Sequence, residues 1–183
     1  MIFQTERLKV RKAEISDTDF YLSLWNSGDV MRNVGFPDGL QILRERVLKQ
    51  IKSHDETEFN QTLVVLEKQR GRRIGECKLG QPDCKGVSSP DLKFLPEFWG
   101  KGYGKEMFEA LCLYTFKNTT AEIIETSPNV KNISSQKMAE SVGGREVRKS
   151  TYHFPKKMQH FTEDVDCIIY HIQRKIFLKQ AGE

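Results

Sequence analysis

The chain has 183 residues, a formal net charge of +4, 30% charged and 38% hydrophobic side chains, the balance of an ordinary soluble protein with enough length for one domain, residues 1–183, around a sizeable core. No apolar run approaches the about eighteen residues of a membrane span, and the opening Met1-Ile2-Phe3-Gln4-Thr5-Glu6-Arg7 is not a signal peptide. Cys77, Cys84, Cys112 and Cys167 form no C-x-x-C pair, so neither a metal site nor a disulfide framework is expected, and a reducing cytoplasm suits the chain.

Glu6 to Arg11 alternates apolar and polar residues, as a half-buried strand does. Ser16-Asp17-Thr18-Asp19 offers a helix N-cap with an acid three residues on, and Phe20, Leu24 and Trp25 follow at helical spacing. Val30 to Gly39 combines loop punctuation with apolar side chains; Leu40, Leu43, Val47 and Ile51 then mark one face of a second helix. Thr62–Leu66 and Ile74–Leu79 make two strands joined through Gly71, and Asp91–Leu95 a further short one. Tyr103 to about Lys117 is helical, with Met107, Leu111 and Tyr114 on one face. Ala121–Thr126 is a strand, and Ile133–Val142 a helix stopped by Gly143-Gly144. Glu146–Phe154 and Asp164–Ile172 complete the series, with Ile168-Ile169-Tyr170 expected at a sheet edge where a partner strand would pair. Monomer and homodimer both stay open. Helices interspersed among strands predict an α/β fold: a central, twisted mixed sheet of about six to seven strands with helices on both faces.

Between the fourth main strand and the helix that follows it runs Phe94-Leu95-Pro96-Glu97-Phe98-Trp99-Gly100-Lys101-Gly102-Tyr103-Gly104-Lys105-Glu106. Glycines let a backbone pass close to a ligand, and the amides at a helix N-terminus form a seat for phosphate. This is not a P-loop, because Gly104-Lys105 is followed by Glu106, and Gly100, Gly102 and Gly104 give G-x-G-x-G instead of the dinucleotide pattern. A glycine-rich hairpin loop would use the same residues. Basic runs at Arg70–Arg73 and Lys156-Lys157 have the look of a solvated turn and loop, so no nucleic-acid partner is expected.

The loop resembles the Q/R-x-x-G-x-G/A pattern of the GNAT acetyltransferases, with Gly102 and Gly104 in the glycine places and Trp99 in place of the Gln or Arg. Three more blocks are similar to the ribosomal-protein N-acetyltransferase branch of that family: Thr5-Glu6-Arg7-Leu8, Asp29–Gly35, and Asn132-Ile133-Ser134-Ser135 followed by Gly143-Gly144. The resemblance implies the GNAT fold and acetyl-CoA as co-substrate, with no metal. It implies that Phe94 and Leu95 pair their backbone with the pantetheine arm, and that the amides of Gly100, Lys101, Gly102, Tyr103, Gly104 and Lys105 hold the pyrophosphate. Lys101 and Lys105 add charge there or are simply solvated; Trp99 covers the loop or anchors it; Asn132 caps its helix or also meets the ligand.

Acetyl transfer needs a neutral amine, a stabilised oxyanion and a protonated leaving thiolate. A backbone amide at the Phe94–Leu95 strand end is the candidate oxyanion donor. Many members of the family carry a tyrosine seven residues beyond the position of Asn132; Ala139 stands there, which leaves Ser135 or water as proton source. Glu76, then Asp91, are the carboxylates nearest the expected centre of the sheet, with Glu76 the preferred general base. Tyr152, His153 and His160 border the acceptor region by resemblance, as does Val34–Gly39. The acceptor is expected to be a primary amine, on a protein N-terminus or on a small molecule such as a polyamine, amino acid or antibiotic. A binding module that keeps acetyl-CoA without turnover is the alternative.

Overall fold

In the computed structural model, residues 1–53 and 57–182 are described. They form β1 (Phe3–Gln4), β2 (Leu8–Lys12), α1 (Thr18–Trp25), α2 (Gly28–Met31), α3 (Arg44–Lys52), β3 (Leu63–Glu67), β4 (Arg73–Lys78), β5 (Val87–Ser88), β6 (Asp91–Phe94), α4 (Tyr103–Asn118), β7 (Ile123–Thr126), α5 (Ile133–Ser141), β8 (Arg145–Tyr152), β9 (Val165–Gln173) and α6 (Arg174–Ala181). The architecture is mixed α/β. Its strands divide between a five-stranded sheet, β1-β2-β3-β4-β6, and a four-stranded sheet, β5-β7-β9-β8.

The division falls inside one short stretch of chain. β5 pairs parallel with β7 through Val87↔Ile123, whereas β6 pairs antiparallel with β4 through Lys93↔Glu76 and Phe94↔Gly75. Ser89 and Pro90 lie between them. Proline has no N–H to give a ladder, so the chain changes sheets where the ladder would lapse anyway. β6 thereby becomes the edge of its sheet, with no strand among the described residues on its outer side.

The apolar run of β3 follows from cover on both faces. Leu63 and Val65 join Leu8 and Val10 of β2 beneath Met107 and Leu111 of α4. Val64, one residue out of phase, packs with Tyr21, Leu24, Val47 and Ile51 of α1 and α3. In the second sheet Ile168, Tyr170 and Ile172 of β9 pack with Phe108 and Cys112 of α4 and Phe177 of α6. α4 therefore serves both sheets. Arg174, at the head of α6, donates to the carbonyls of Ala121 at 2.7 Å and Thr119 at 2.6 Å, and to Phe116 as well. It satisfies groups that the end of α4 leaves unpaired.

Four expectations are revised. The Val30–Gly39 stretch, expected as loop, begins inside the short helix α2 and continues as a three-ten turn to Val34. Leu43 is 66% exposed and precedes α3, so the buried face of that helix is Val47 and Ile51 alone. α6 has one buried side chain, Phe177, too little periodicity to be seen in the sequence. β9 lies between β7 and β8, so Ile168–Tyr170 has no free edge, and the edge strands of that sheet are β5 and β8.

Candidate active site

The glycine loop enters α4 with Gly100 at φ +72° and Gly102 at φ +79°, a left-handed turn that glycine adopts without strain. No main-chain carbonyl accepts from the amides of Gly100 through Lys105 among the described residues, as the start of a sixteen-residue helix requires. A Cβ on Gly100 would meet nothing within 4 Å, and one on Gly104 only the Met138 Sδ at 3.6 Å. Open space, free amides and a helix dipole together fit a phosphate. Lys105 is exposed, while the Lys101 ammonium lies 5.2 Å from the centre of the Phe98 ring.

The loop is held by Thr5, Arg7 and Glu106, residues to which the sequence assigned no role of their own. Glu106 accepts from the Thr5 hydroxyl, from the Arg7 amide at 2.8 Å and from Arg7 Nε at 2.6 Å. Arg7 Nη1 also donates to the Lys101 carbonyl at 3.0 Å, and its guanidinium lies 4.7 Å over the Tyr103 ring. Burial opposes the charge of Glu106, but these donors hold its carboxyl below the usual range. The Thr5-Glu6-Arg7 block and the glycine loop, about a hundred residues apart, are thus one physical unit. The Tyr103 side chain is buried with its hydroxyl donating to Glu67 at 2.7 Å, which leaves only its amide on the loop surface.

At the end of β6 the Leu95 amide donates to the Ile74 carbonyl at 2.9 Å. With Phe94 opposite Gly75, antiparallel alternation turns both main-chain groups of Phe94 toward the open edge. The Phe94 carbonyl already accepts from the Trp99 indole at 2.8 Å. The backbone pairing expected of Phe94 and Leu95 therefore reduces to the Phe94 amide, and Trp99, 49% exposed, anchors the loop to the strand.

A cavity of about 250 Å³ has Trp25, Glu76, Asp91 and Lys93 in its wall. Glu76 is 7% exposed and accepts from Trp25 Nε1 at 2.8 Å, with Lys93 Nζ at 3.4 Å from the same oxygen. Burial pushes the Glu76 carboxyl up against the pull of Lys93. Burial also opposes the charge of Lys93, yet Asp91 and Glu76 push it up to about 12. A wider cavity of about 670 Å³ shares Leu40, Ile42 and Gln50 with the first, so the two are chambers of one groove. Phe36 belongs to the wider chamber.

Asn132 caps α5, accepting from the Ser135 amide at 3.1 Å. The Ser135 hydroxyl is half-buried, has no partner among the described residues and is not in the wall of either cavity. Ser135 and Glu76 are thus not brought into one chamber. Ala139 is fully buried with Ile124 and Ile172, a position with no opening to solvent for a phenol. His153 is exposed and bonded to Asp164 at 2.6 Å, His160 lies against Phe161, and Tyr152 is exposed; none of the three lines the groove. Among the described residues no group of three His, Cys, Asp or Glu could hold a metal ion, and no helix is long and apolar enough to cross a membrane.

The family model of the acetyltransferase (GNAT) domain matches residues 7–145. An uncharacterized N-acetyltransferase, p20, from Bacillus licheniformis is 24% identical over 140 residues, 75% of this chain and 79% of that one. Two solved structures share the fold. A GNAT-family acetyltransferase from Bacillus anthracis superposes with a TM-score of 0.77 at 22% identity, over 96% of this chain and 99% of that one. A spermidine N-acetyltransferase from Vibrio cholerae, in complex with CoA and spermine, gives 0.78 at 19% identity, over 94% and 98%. The protein is an acyltransferase. It belongs to the GNAT acetyltransferase family.

Proposed function

We propose that residues 1–183 act as one acetyl-CoA-dependent N-acetyltransferase whose acceptor is a primary amine, with a protein N-terminus preferred to a polyamine. The observation that carries this reading is the row of unpaired amides from Gly100 to Lys105, pinned by Arg7 and Glu106 beside an open strand edge. Bound acetyl-CoA supplies an acetyl group activated as a thioester and a thiolate as leaving group. The loop amides hold its pyrophosphate, and Lys105 adds positive charge beside it. The Phe94 amide, aimed at the open edge, is the donor available to a developing oxyanion. Glu76, beside Lys93, receives the proton that the attacking amine sheds, directly or through one water. Ser135, with its hydroxyl free, is the proton source for the thiolate, and Asn132 fixes the turn that presents it.

The polyamine alternative is disfavoured by charge. A polycation needs acceptors spread along its length, whereas the carboxylates of this groove among the described residues, Glu76 and Asp91, sit together and share Lys93. The spermidine enzyme of Vibrio cholerae shares the fold at 19% identity, and fold alone does not carry the substrate across.

Calorimetric titration of acetyl-CoA into wild type and Gly104→Glu tests the cofactor seat. Gly104 has ordinary helical geometry and open space beside it, so the variant folds while its carboxylate enters the phosphate seat. Binding by wild type and its loss in the variant is the expected result. A folded wild type that ignores acetyl-CoA overturns the reading.

A further inference from the structure

The wider chamber has two unlike walls. One is α3, which turns Arg46, Lys49, Gln50 and Ser53 toward the groove, the i, i+3, i+4, i+7 spacing of a single helix face. Arg46 and Lys49 are exposed, and neither has an ion-pair partner among the described residues. The facing wall is apolar, from Phe36, Met158 and Phe161. Leu43 and Phe161, on the two lips, are 66% and 42% exposed, more apolar surface than a groove facing only water would keep. Among the described residues no Asp or Glu lines this chamber; Glu45, on the same helix, is outside its lining. Among the described residues the carboxylates of the groove are Glu76 and Asp91, both in the narrow chamber and both paired with Lys93.

The narrow chamber suits an amine and the wider one what the amine is attached to. From Arg46 to Ser53 the helix rises about 10 Å, the reach of about three extended residues. Resting on the acetyltransferase reading above, we infer that the acceptor is the amino terminus of an acidic peptide, with an apolar side chain near its start and carboxylates in the next few residues. The terminal amine lies by Glu76. The apolar side chain packs on Phe36, Met158 and Phe161, and the carboxylates meet Arg46 and Lys49. Charge complementarity makes this choice: among the described residues the wider chamber offers a basic peptide or a polyamine two unpaired cations, Arg46 and Lys49, and no carboxylate, while Glu76 and Asp91 share Lys93 in the narrow chamber, where the amine goes.

Acetyl transfer is measured with three probes: a synthetic peptide beginning Ala-Phe and continuing in Glu and Asp, its twin with Lys and Arg at those places, and spermidine. Wild type is expected to favour the acidic peptide about tenfold or more in kcat/KM, the yield of two exposed charge pairs, and the margin shrinks with added salt. Arg46→Glu/Lys49→Glu should reverse the order of the two peptides, with the change falling in KM. Arg46→Gln/Lys49→Gln should abolish the preference without reversing it. Both pairs of changes are at exposed positions, and thermal denaturation with acetyl-CoA titration establishes that each variant is folded and keeps its cofactor seat. Preference for the basic twin or for spermidine overturns the inference, as does acetyl-CoA binding with no transfer to the acidic peptide; in both cases the family chemistry stands. Loss of acetyl-CoA binding by wild type removes that chemistry as well.

Discussion

Replacing Glu106 tests whether the glycine loop is set by a distant anchor or by its own sequence. The carboxylate accepts from the Thr5 hydroxyl, the Arg7 amide at 2.8 Å and Arg7 Nε at 2.6 Å. Its side chain is 17% exposed and that of Arg7 44%. Hydrogen bonds to a charged acceptor contribute about 1.5–3 kcal/mol when sheltered, but the half-exposed Arg7 pair is discounted to below about 1 kcal/mol. Glu106→Ala should therefore cost about 3 kcal/mol, and Glu106→Gln, which keeps an oxygen for Thr5 and the Arg7 amide, about 1 kcal/mol. For a chain of this size those losses lower Tm by about 6–12 °C and about 2–4 °C. Acetyl-CoA affinity should drop about tenfold in Glu106→Ala, because binding then has to order the loop. The Glu106 pKa is lowered in the folded protein, so its contribution is complete above the unfolded value of about 4.3 and fades as pH falls below it. Scanning calorimetry of the three proteins at pH 7 and in acid reads all of this. An alanine variant that melts within about 1 °C of wild type, or whose deficit persists undiminished in acid, refutes the anchor; 1 °C is well under the shift of a single kcal/mol.

Two further outcomes concern the buried carboxylates Asp17 and Glu76. Asp17 is fully buried and accepts from Arg11 at 2.6 and 2.8 Å and from Arg73 at 2.5 Å; Asp17→Asn, leaving two guanidinium groups short of a counter-charge, should lower stability by about 3 kcal/mol in urea denaturation. Burial works against its charge, but Arg11 and Arg73 hold its pKa at about 2, so that stabilisation is complete above about pH 4 and is lost as pH falls toward 2. A urea midpoint that does not move would show that the cluster contributes nothing. Glu76→Gln should reduce kcat/KM about 100-fold, the ordinary yield of a general base, while leaving acetyl-CoA affinity in place. The carboxyl is raised by burial, so wild-type activity should climb through a limb above the usual carboxylate range, and the variant should lack that limb. A variant with the wild-type pH profile would remove Glu76 from the chemistry.

The features that sequence made legible are those encoded within a few residues. The glycine loop, the cap by Asn132 and the stop at Gly143, φ +83°, each have their cause inside one turn of chain. The strand at Leu63–Glu67 was legible because an unbroken apolar run too short for a helix suits a strand covered on both faces. What stayed hidden depends on distant partners. Glu106 looks like an ordinary first-turn acid until Thr5 and Arg7 are folded against it. Phe94 looks like a free strand end until the Trp99 indole takes its carbonyl. The pairing of Glu76 with Trp25 spans fifty-one positions, and no local pattern announces it. The cationic face of α3 was in view as letters, but only the placement of Phe36 and Phe161 opposite makes it a wall.

The passage from β5 to β6 has a mechanical consequence. One covalent run, with two residues between its halves, is stitched to β7 at one end and to β4 at the other. Two extended residues reach about 7 Å, so the two ladders cannot drift apart there without one of them giving way. Any movement of one sheet against the other has its pivot at Ser89 and Pro90.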